Sequence, residues 1–162
     1  AVYMRVGIGY DAHRLEKGRP LKLGGVLIPF AYGLEGHSDG DALLHAIIDA
    51  LLGACGKDDI GYHFPSTDPQ YNNIASIHLL ETVITDIIPL WKVVNLDATI
   101  LAQEPKLSPF IPAMKHIIAS SLLIEESLVN IKATTTDGLD AFGAGEGIGA
   151  QAIALLEERQ PG

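Results

Sequence analysis

Asp11-Ala12-His13 lies near the start of the chain, and His45 follows the run His37-Ser38-Asp39-Gly40-Asp41. One carboxylate and two imidazoles are the donor types of an open zinc site, which keeps a coordination position for water or a substrate oxygen. Asp11 and His13 are two residues apart, so a strand presents both on one face. His45 falls on the helix face opposite the apolar stripe Leu44, Ile47, Ile48, Leu51 and Cys55, with Asp41 and Asp49 flanking it at i−4 and i+4. Metal ligation by His45, with Asp49 orienting its second nitrogen, accounts for such a face. A solvated helix face beside an unrelated strand-end carboxylate accounts for it too, and Asp-x-His alone is a common pair.

Other segments have chemistry of their own. His37-Ser38 at a helix N-terminus can point donors toward an anion. Ser38 reads as the N-cap, with Asp41 three residues on in a capping-box pattern. Ala133-Thr134-Thr135-Thr136-Asp137 ends a strand with three hydroxyls and a carboxylate, suited to phosphate oxygens and a hard cation. Threonine runs are equally ordinary strand residues. Ala102-Gln103-Glu104-Pro105-Lys106 leaves one lysine at a strand exit, a phosphate contact or a solvated charge.

The elements that must position these groups alternate in type. Met4 to Tyr10 reads as a strand that ends where the donors begin, and Leu21 to Ile28 as a hairpin split by Gly24-Gly25. The Ser38-capped helix follows, then an irregular stretch from Asp58 to Asn73, long enough to be a functional loop. Ile74 to Ile88 carries a helical stripe of Ile77, Leu80, Ile84 and Ile87, stopped by Pro89. Val94, Leu96, Ala98 and Ile100 alternate as a strand. Ser108-Pro109 opens a helix with Ile111, Met114, Ile118 and Leu122 inward, and Leu128 to Thr135 alternates again. Gly138 to Gly149 holds five glycines and reads as a turn or loop. Ile148 to Leu156 is alanine-rich, which favours helix, but follows a strand and a glycine-rich turn; a returning strand is the reading adopted. The expected fold is α/β of the α+β type, a single domain over 4–160 with a mixed sheet and helices on one face. Residues 1–3 precede Met4 and read as an added remnant.

Composition narrows the function. The 162 residues are 48% hydrophobic and 19% charged, and mean hydropathy is +0.24. That apolar surplus fits burial in an oligomer or one efficient core. Eleven basic against twenty acidic residues give a net charge of −9, which argues against a nucleic-acid partner. A phosphorylated substrate stays open, because bound cations invert the local field. Cys55 is the only cysteine, so no intrachain disulfide forms, and it reads as a small core residue. No apolar run spans a bilayer and no secretory signal opens the chain, so a cytoplasmic location is expected.

In order along the chain stand Gly9-Tyr10-Asp11-Ala12-His13, the His37 to Asp41 run with His45, Asp59-Ile60-Gly61, Phe64-Pro65-Ser66-Thr67-Asp68-Pro69, Ala102 to Lys106, Lys132 to Thr136, and Gly145-Glu146-Gly147-Ile148. Together, from about Met4 to Leu156, these resemble the 2-C-methyl-D-erythritol 2,4-cyclodiphosphate synthase family of the non-mevalonate isoprenoid pathway. The resemblance implies Zn²⁺ on Asp11, His13 and His45, with a substrate phosphate as fourth ligand. It implies a second cation, Mg²⁺ or Mn²⁺, bridging the substrate diphosphate, with Asp137 at its position. The implied substrate is 4-diphosphocytidyl-2-C-methyl-D-erythritol 2-phosphate, whose 2-phosphate attacks the β-phosphorus and expels CMP. His37 and Thr135 are implied as transition-state stabilisers.

The same resemblance assigns substrate contacts. Asp11, Ala12, His13 and His37 would touch the substrate, and Ser38, Asp59, Ile60 and Gly61, with Phe64, Pro65, Ser66, Thr67 and Asp68, would line the methylerythritol phosphate pocket. Ala102, Gln103, Glu104, Pro105, Lys106, Leu107 and Ser108, with Thr134, Thr135, Thr136 and Asp137, would hold the cytidine diphosphate. Ala141 and Ala144 complete the set. Family members are homotrimers with sites between subunits and sheets toward the three-fold axis. Three positions depart from the family pattern: Ser66 stands where Asp is frequent, Asp137 where Glu is usual, and Ala144 where Arg is common near the axis. A zinc phosphodiesterase, or a metal-stabilised trimeric binding protein without turnover, would use the same donor set.

Overall fold

The computed structural model describes residues 3–160; residues 1 and 2 of the expected N-terminal remnant lie outside them. The chain runs β1 (Met4–Lys17), β2 (Leu21–Leu23), β3 (Val26–Ile28), β4 (Tyr32–Leu34), α1 (Ala42–Cys55) and α2 (Ile60–His63). It continues through α3 (Ser76–Ile87), β5 (Trp91–Leu101), α4 (Ile111–Leu122), β6 (Val129–Thr134), α5 (Asp140–Gly143) and β7 (Gly147–Glu158). The main sheet has the order β4-β1-β7-β5-β6 and is mixed, because β5 and β6 pair in parallel while the other neighbours are antiparallel. The expected hairpin is the separate pair β2–β3, with positive φ at Gly24 and Gly25. That turn geometry matches the twist of a two-residue hairpin. Ile148 to Leu156 is a strand, the central one, as its position after a glycine-rich turn implied.

Period two sorts β1 and β7 into faces. Gly7, Gly9, Asp11 and His13 face the helices, while Val6, Ile8 and Tyr10 project from the other side. On β7, Ala150, Ala152 and Ala154 are fully buried beneath α1. These small residues let helix and sheet backbones meet. A Cβ on Gly9 would lie 1.8 Å from the Ala46 carbonyl oxygen, and one on Gly7 1.9 Å from that of Ala50. Nothing larger than glycine fits there.

Several expected boundaries are corrected. The first strand does not end at Tyr10 but runs on to Lys17, carrying Asp11 and His13 within it. Pairing with β7 extends through Asp11↔Ala150 and His13↔Ile148, so the ladder itself continues the strand. The N-cap of α1 is Asp41, not Ser38. Asp41 is fully buried and accepts from Leu44 N at 3.0 Å, Gly24 N at 3.0 Å and Gly25 N at 2.8 Å, so it caps the helix and pins the hairpin turn together. Burial raises its pKa against the pull of those backbone donors. In β5 a bulge between Val93 and Asn95 makes Val93, not Val94, the buried residue. The stretch from Asp58 to Asn73 is not wholly irregular, since it contains α2 and a one-turn 3₁₀ helix at Pro69–Tyr71. Likewise α5 and the start of β7 occupy the glycine-rich segment. Among the described residues, no helix is long and apolar enough to cross a membrane.

Candidate metal centre and substrate pockets

Strand β1 and helix α1 bring three donors to one point. His13 Nε2 lies 2.6 Å from Asp11 Oδ2 and 3.2 Å from His45 Nδ1, and His45 Nδ1 lies 3.1 Å from the same carboxylate oxygen. A tetrahedral zinc ion with ligands at about 2.0–2.1 Å would space two donors about 3.3 Å apart. The two edges that reach His45, 3.2 and 3.1 Å, are close to that. The 2.6 Å edge between Asp11 and His13 is a hydrogen-bond distance that a metal would widen. A carboxylate with two imidazoles is a fitting donor set. Burial opposes charge on Asp11, but hydrogen bonds from His13 and His45 outweigh it and lower its pKa to about 2. Burial likewise opposes charge on His13, yet the Asp11 carboxylate raises its pKa above the ordinary value. The pair is poised to bind a cation in place of protons.

His45 does not lie on a polar helix face. Eleven of the fourteen residues of α1 are buried, His45 among them. Nor does Asp49 orient it, because Asp49 Oδ1 accepts instead from Ile60 N at 2.8 Å and holds the start of α2. His45 Nε2 faces Ser76 Oγ at 2.8 Å and Ser38 Oγ at 3.2 Å. Sequence reasoning missed Ser76, which opens a helix thirty-one residues away and belongs to no local pattern.

The donor triangle opens on a cavity of about 370 Å³. His37, Ser38, Ile60, Gly61, Phe64, Pro65, Ser66 and Thr67 line it, as do Tyr71, Ile74 and Leu79, which the sequence did not single out. The aromatic pair Phe64–Tyr71, ring centroids 5.2 Å apart, forms one wall. The His37 loop is fixed through its carbonyls. Arg19 Nη2 donates to Gly36 O at 3.0 Å and Ser38 O at 2.9 Å, and Asn73 N donates to His37 O at 3.0 Å. Asp59 and Asp68 are not among the lining residues. Asp59 caps α2 through Tyr62 N, and Asp68 caps the 3₁₀ turn through Gln70 N. Ala12 projects to the exposed side of β1.

A second cavity, about 440 Å³, is lined by Ala102, Gln103, Glu104, Pro105, Lys106, Leu107, Ser108, Ala133, Thr134 and Thr135. It lies where β5 and β6 end, and shares no lining residue with the first. Asp137, at φ +55°, accepts from Thr135 Oγ1 through Oδ1 at 3.4 Å. Thr136 is drawn away from both cavities: its hydroxyl donates to Leu139 O at 2.6 Å and lies 2.9 Å from Asp140 Oδ1. Ala141 and Ala144 are exposed at α5. The structure thus gathers two groups of predicted residues and keeps the groups apart.

The mixed α+β fold sets an Asp/His/His cluster able to hold a metal beside a pocket, and comparison gives the family. The chain matches the YgbB family over residues 4–157 and belongs to it. It is 57% identical, over 95% of its length and 100% of the relative, to 2-C-methyl-D-erythritol 2,4-cyclodiphosphate synthase of Desulfatibacillum aliphaticivorans. The bifunctional IspDF protein of Campylobacter jejuni superposes with TM-score 0.94 at 38% identity; the match covers 99% of this chain but 44% of that protein, so this chain spans less than half its length. The IspF protein of Plasmodium falciparum in complex with CDP superposes with TM-score 0.84 at 32% identity, covering 97% of both chains.

Proposed function

We propose that this chain converts 4-diphosphocytidyl-2-C-methyl-D-erythritol 2-phosphate into 2-C-methyl-D-erythritol 2,4-cyclodiphosphate and CMP. The observation that carries the reading is the convergence of Asp11, His13 and His45 on the wall of a pocket that also holds His37. The CDP complex of a relative with the same fold supports the nucleotide half. Asp11, His13 and His45 would hold Zn²⁺, and Asp137 would hold Mg²⁺ or Mn²⁺. When bound, these cations supply charge neutralisation and Lewis-acid polarisation of the diphosphate. The chain's own groups then position the reactants. The His37 loop and the Ile60–Thr67 segment orient the methylerythritol phosphate so that a 2-phosphate oxygen meets the β-phosphorus in line. The new P–O bond forms as the bond to the CMP oxygen breaks, and His37 and Thr135 donate to the oxygens on which charge accumulates. No protein nucleophile is required.

In one chain the two cavities stand at different edges of the sheet, β1 being separated from β6 by β7 and β5. We infer that the working site joins the first cavity of one subunit to the second of its neighbour in a homotrimer. The apolar outer face of β1 and β7 supplies the contact.

Incubating the protein with the CDP substrate and divalent cations tests the reaction. Phosphorus NMR should show a cyclic diphosphate together with CMP. A linear hydrolysis product would instead mark a phosphodiesterase, and absence of CMP a non-catalytic binder. His45→Ala should lower turnover by at least about 10³-fold while circular dichroism stays native. Unchanged turnover in this variant would remove the metal centre from the mechanism.

A further inference from the structure

Ser76 is completely buried, yet its amide and its hydroxyl are both engaged. Its backbone N–H donates to Asp39 Oδ2 at 2.9 Å, and its hydroxyl donates to Asp39 Oδ1. On its other side Oγ lies 2.8 Å from His45 Nε2. A hydroxyl owns one hydrogen, and a carboxylate can only accept. With that hydrogen committed to Asp39, Ser76 presents lone pairs alone to His45. Nε2 must therefore carry the imidazole proton. A ligating imidazole is neutral and keeps only that one, so Nδ1, which faces Asp11 and His13 and in the metal-free chain donates to Asp11, is the nitrogen left to take a metal.

We propose that Ser76 and Asp39 are positioning residues for the metal centre, fixing His45 as an Nδ1 ligand. They touch no reacting atom and act through His45 alone. The proposal rests on the reading of Asp11, His13 and His45 as a metal site. Asp39 is itself held, since Oδ1 also accepts from Asp41 N at 3.1 Å, next to the start of α1. Helix α3 has no side-chain cap at Ala75, and Asp39 serves its first amide from across the loop. One carboxylate thus ties the beginnings of two helices to the outer nitrogen of a ligand. Outer partners of this kind set ring orientation and tautomer, and their loss weakens metal binding about 10- to 100-fold.

The test uses the full chain and Zn²⁺ alone. Chelator competition should show Ser76→Ala binding zinc about 10- to 100-fold more weakly than the parent, with Ser76→Thr, which keeps the hydroxyl, recovering most of the loss. A second measurement needs no variant. In the zinc-loaded parent with labelled imidazoles, ¹⁵N NMR should find His45 metal-bound through Nδ1. Its Nε2 proton should exchange slowly and show a cross-peak to the Ser76 methylene. Ligation through Nε2, a freely exchanging Nε2 proton, or parental zinc affinity in Ser76→Ala would each overturn the dyad. A parent chain that binds no zinc, or His45→Ala binding it as tightly as the parent, would overturn the metal-site reading and the dyad with it.

Discussion

Asp11 and His13 declare themselves in the sequence because two positions on a strand share a face, and that relation needs no tertiary knowledge. His45 is legible only as a helical residue of the right type. Its burial is not, because α1 is covered on nearly every side and its apolar stripe continues behind the imidazole. Ser76 and Asp39 escape local reading altogether, since thirty-seven residues separate them and only the fold sets one beside the other. Cys55 shows the same limit at smaller cost. It reads as core, yet it is half-buried, and burial pushes its thiol up to about 11 from 9.0 although Lys57 and Arg5 pull it down. A thiolate is the reactive species. Alkylation of the native protein should therefore be slow at pH 8 and rise along a curve centred near 11. The unfolded thiol ionises first, so whatever stability the neutral thiol contributes is lost as pH rises from 9.0 toward 11. A rate profile centred near 9.0 would show the thiol to be open to solvent.

At the scale of elements, the strongest constraint is the contact of β1 with α1. Gly9→Ala forces a Cβ into the Ala46 carbonyl, one residue from His45. Backbone cannot yield as a flexible side chain does, so the expected cost is at least about 3 kcal/mol. Urea denaturation should show that loss together with weakened zinc binding, because α1 must shift outward to make room. Asp41→Ala acts elsewhere, leaving the N–H groups of Leu44, Gly24 and Gly25 without their acceptor. Buried, unsatisfied donors and a lost cap make roughly 2–4 kcal/mol the expected destabilisation. A midpoint close to that of the parent would mean that water replaces the carboxylate. Periodicity made α3 and α4 legible, because one face of each is buried by a neighbour, whereas Gly24-Gly25 announced the β2–β3 hairpin and the glycine-rich turn announced the last strand. Strand β4 is three residues long and exists by pairing with the end of β1, so no pattern announces it. The capping error at Ser38 has a similar origin: both Ser and Asp cap helices, and only the fold shows that Asp41 meets the Leu44 amide while the Ser38 hydroxyl turns to His45.

The whole molecule carries an asymmetry that a lone chain does not resolve. One face of the sheet is covered by α1 and its neighbours. The other exposes Val6 at 67%, Ile8 at 61%, Tyr10 at 54% and Ile153 at 45%, with Ile8 directly opposite Ile153. A contiguous apolar patch of this kind marks a candidate association surface, and the proposed sharing of the two cavities would give association a purpose. Ile8→Asp places a charge in that patch and should convert an oligomer to monomers in sedimentation velocity. Turnover should fall with it, although every donor atom of the metal centre is retained. Mixing supplies the sharper test. His45→Ala damages the first cavity and leaves Thr135 intact; Thr135→Ala does the reverse. Each should be nearly inactive alone. Refolded together in equal amounts, chains drawn at random would build intact sites wherever a sound first cavity meets a sound second cavity from its neighbour. That occurs at about one quarter of sites in a closed ring. Recovery to that level, from two inactive proteins, requires sites shared between subunits. No recovery, with mixed oligomers present by mass spectrometry, would place both halves of the site within one chain and leave the apolar face to serve stability alone.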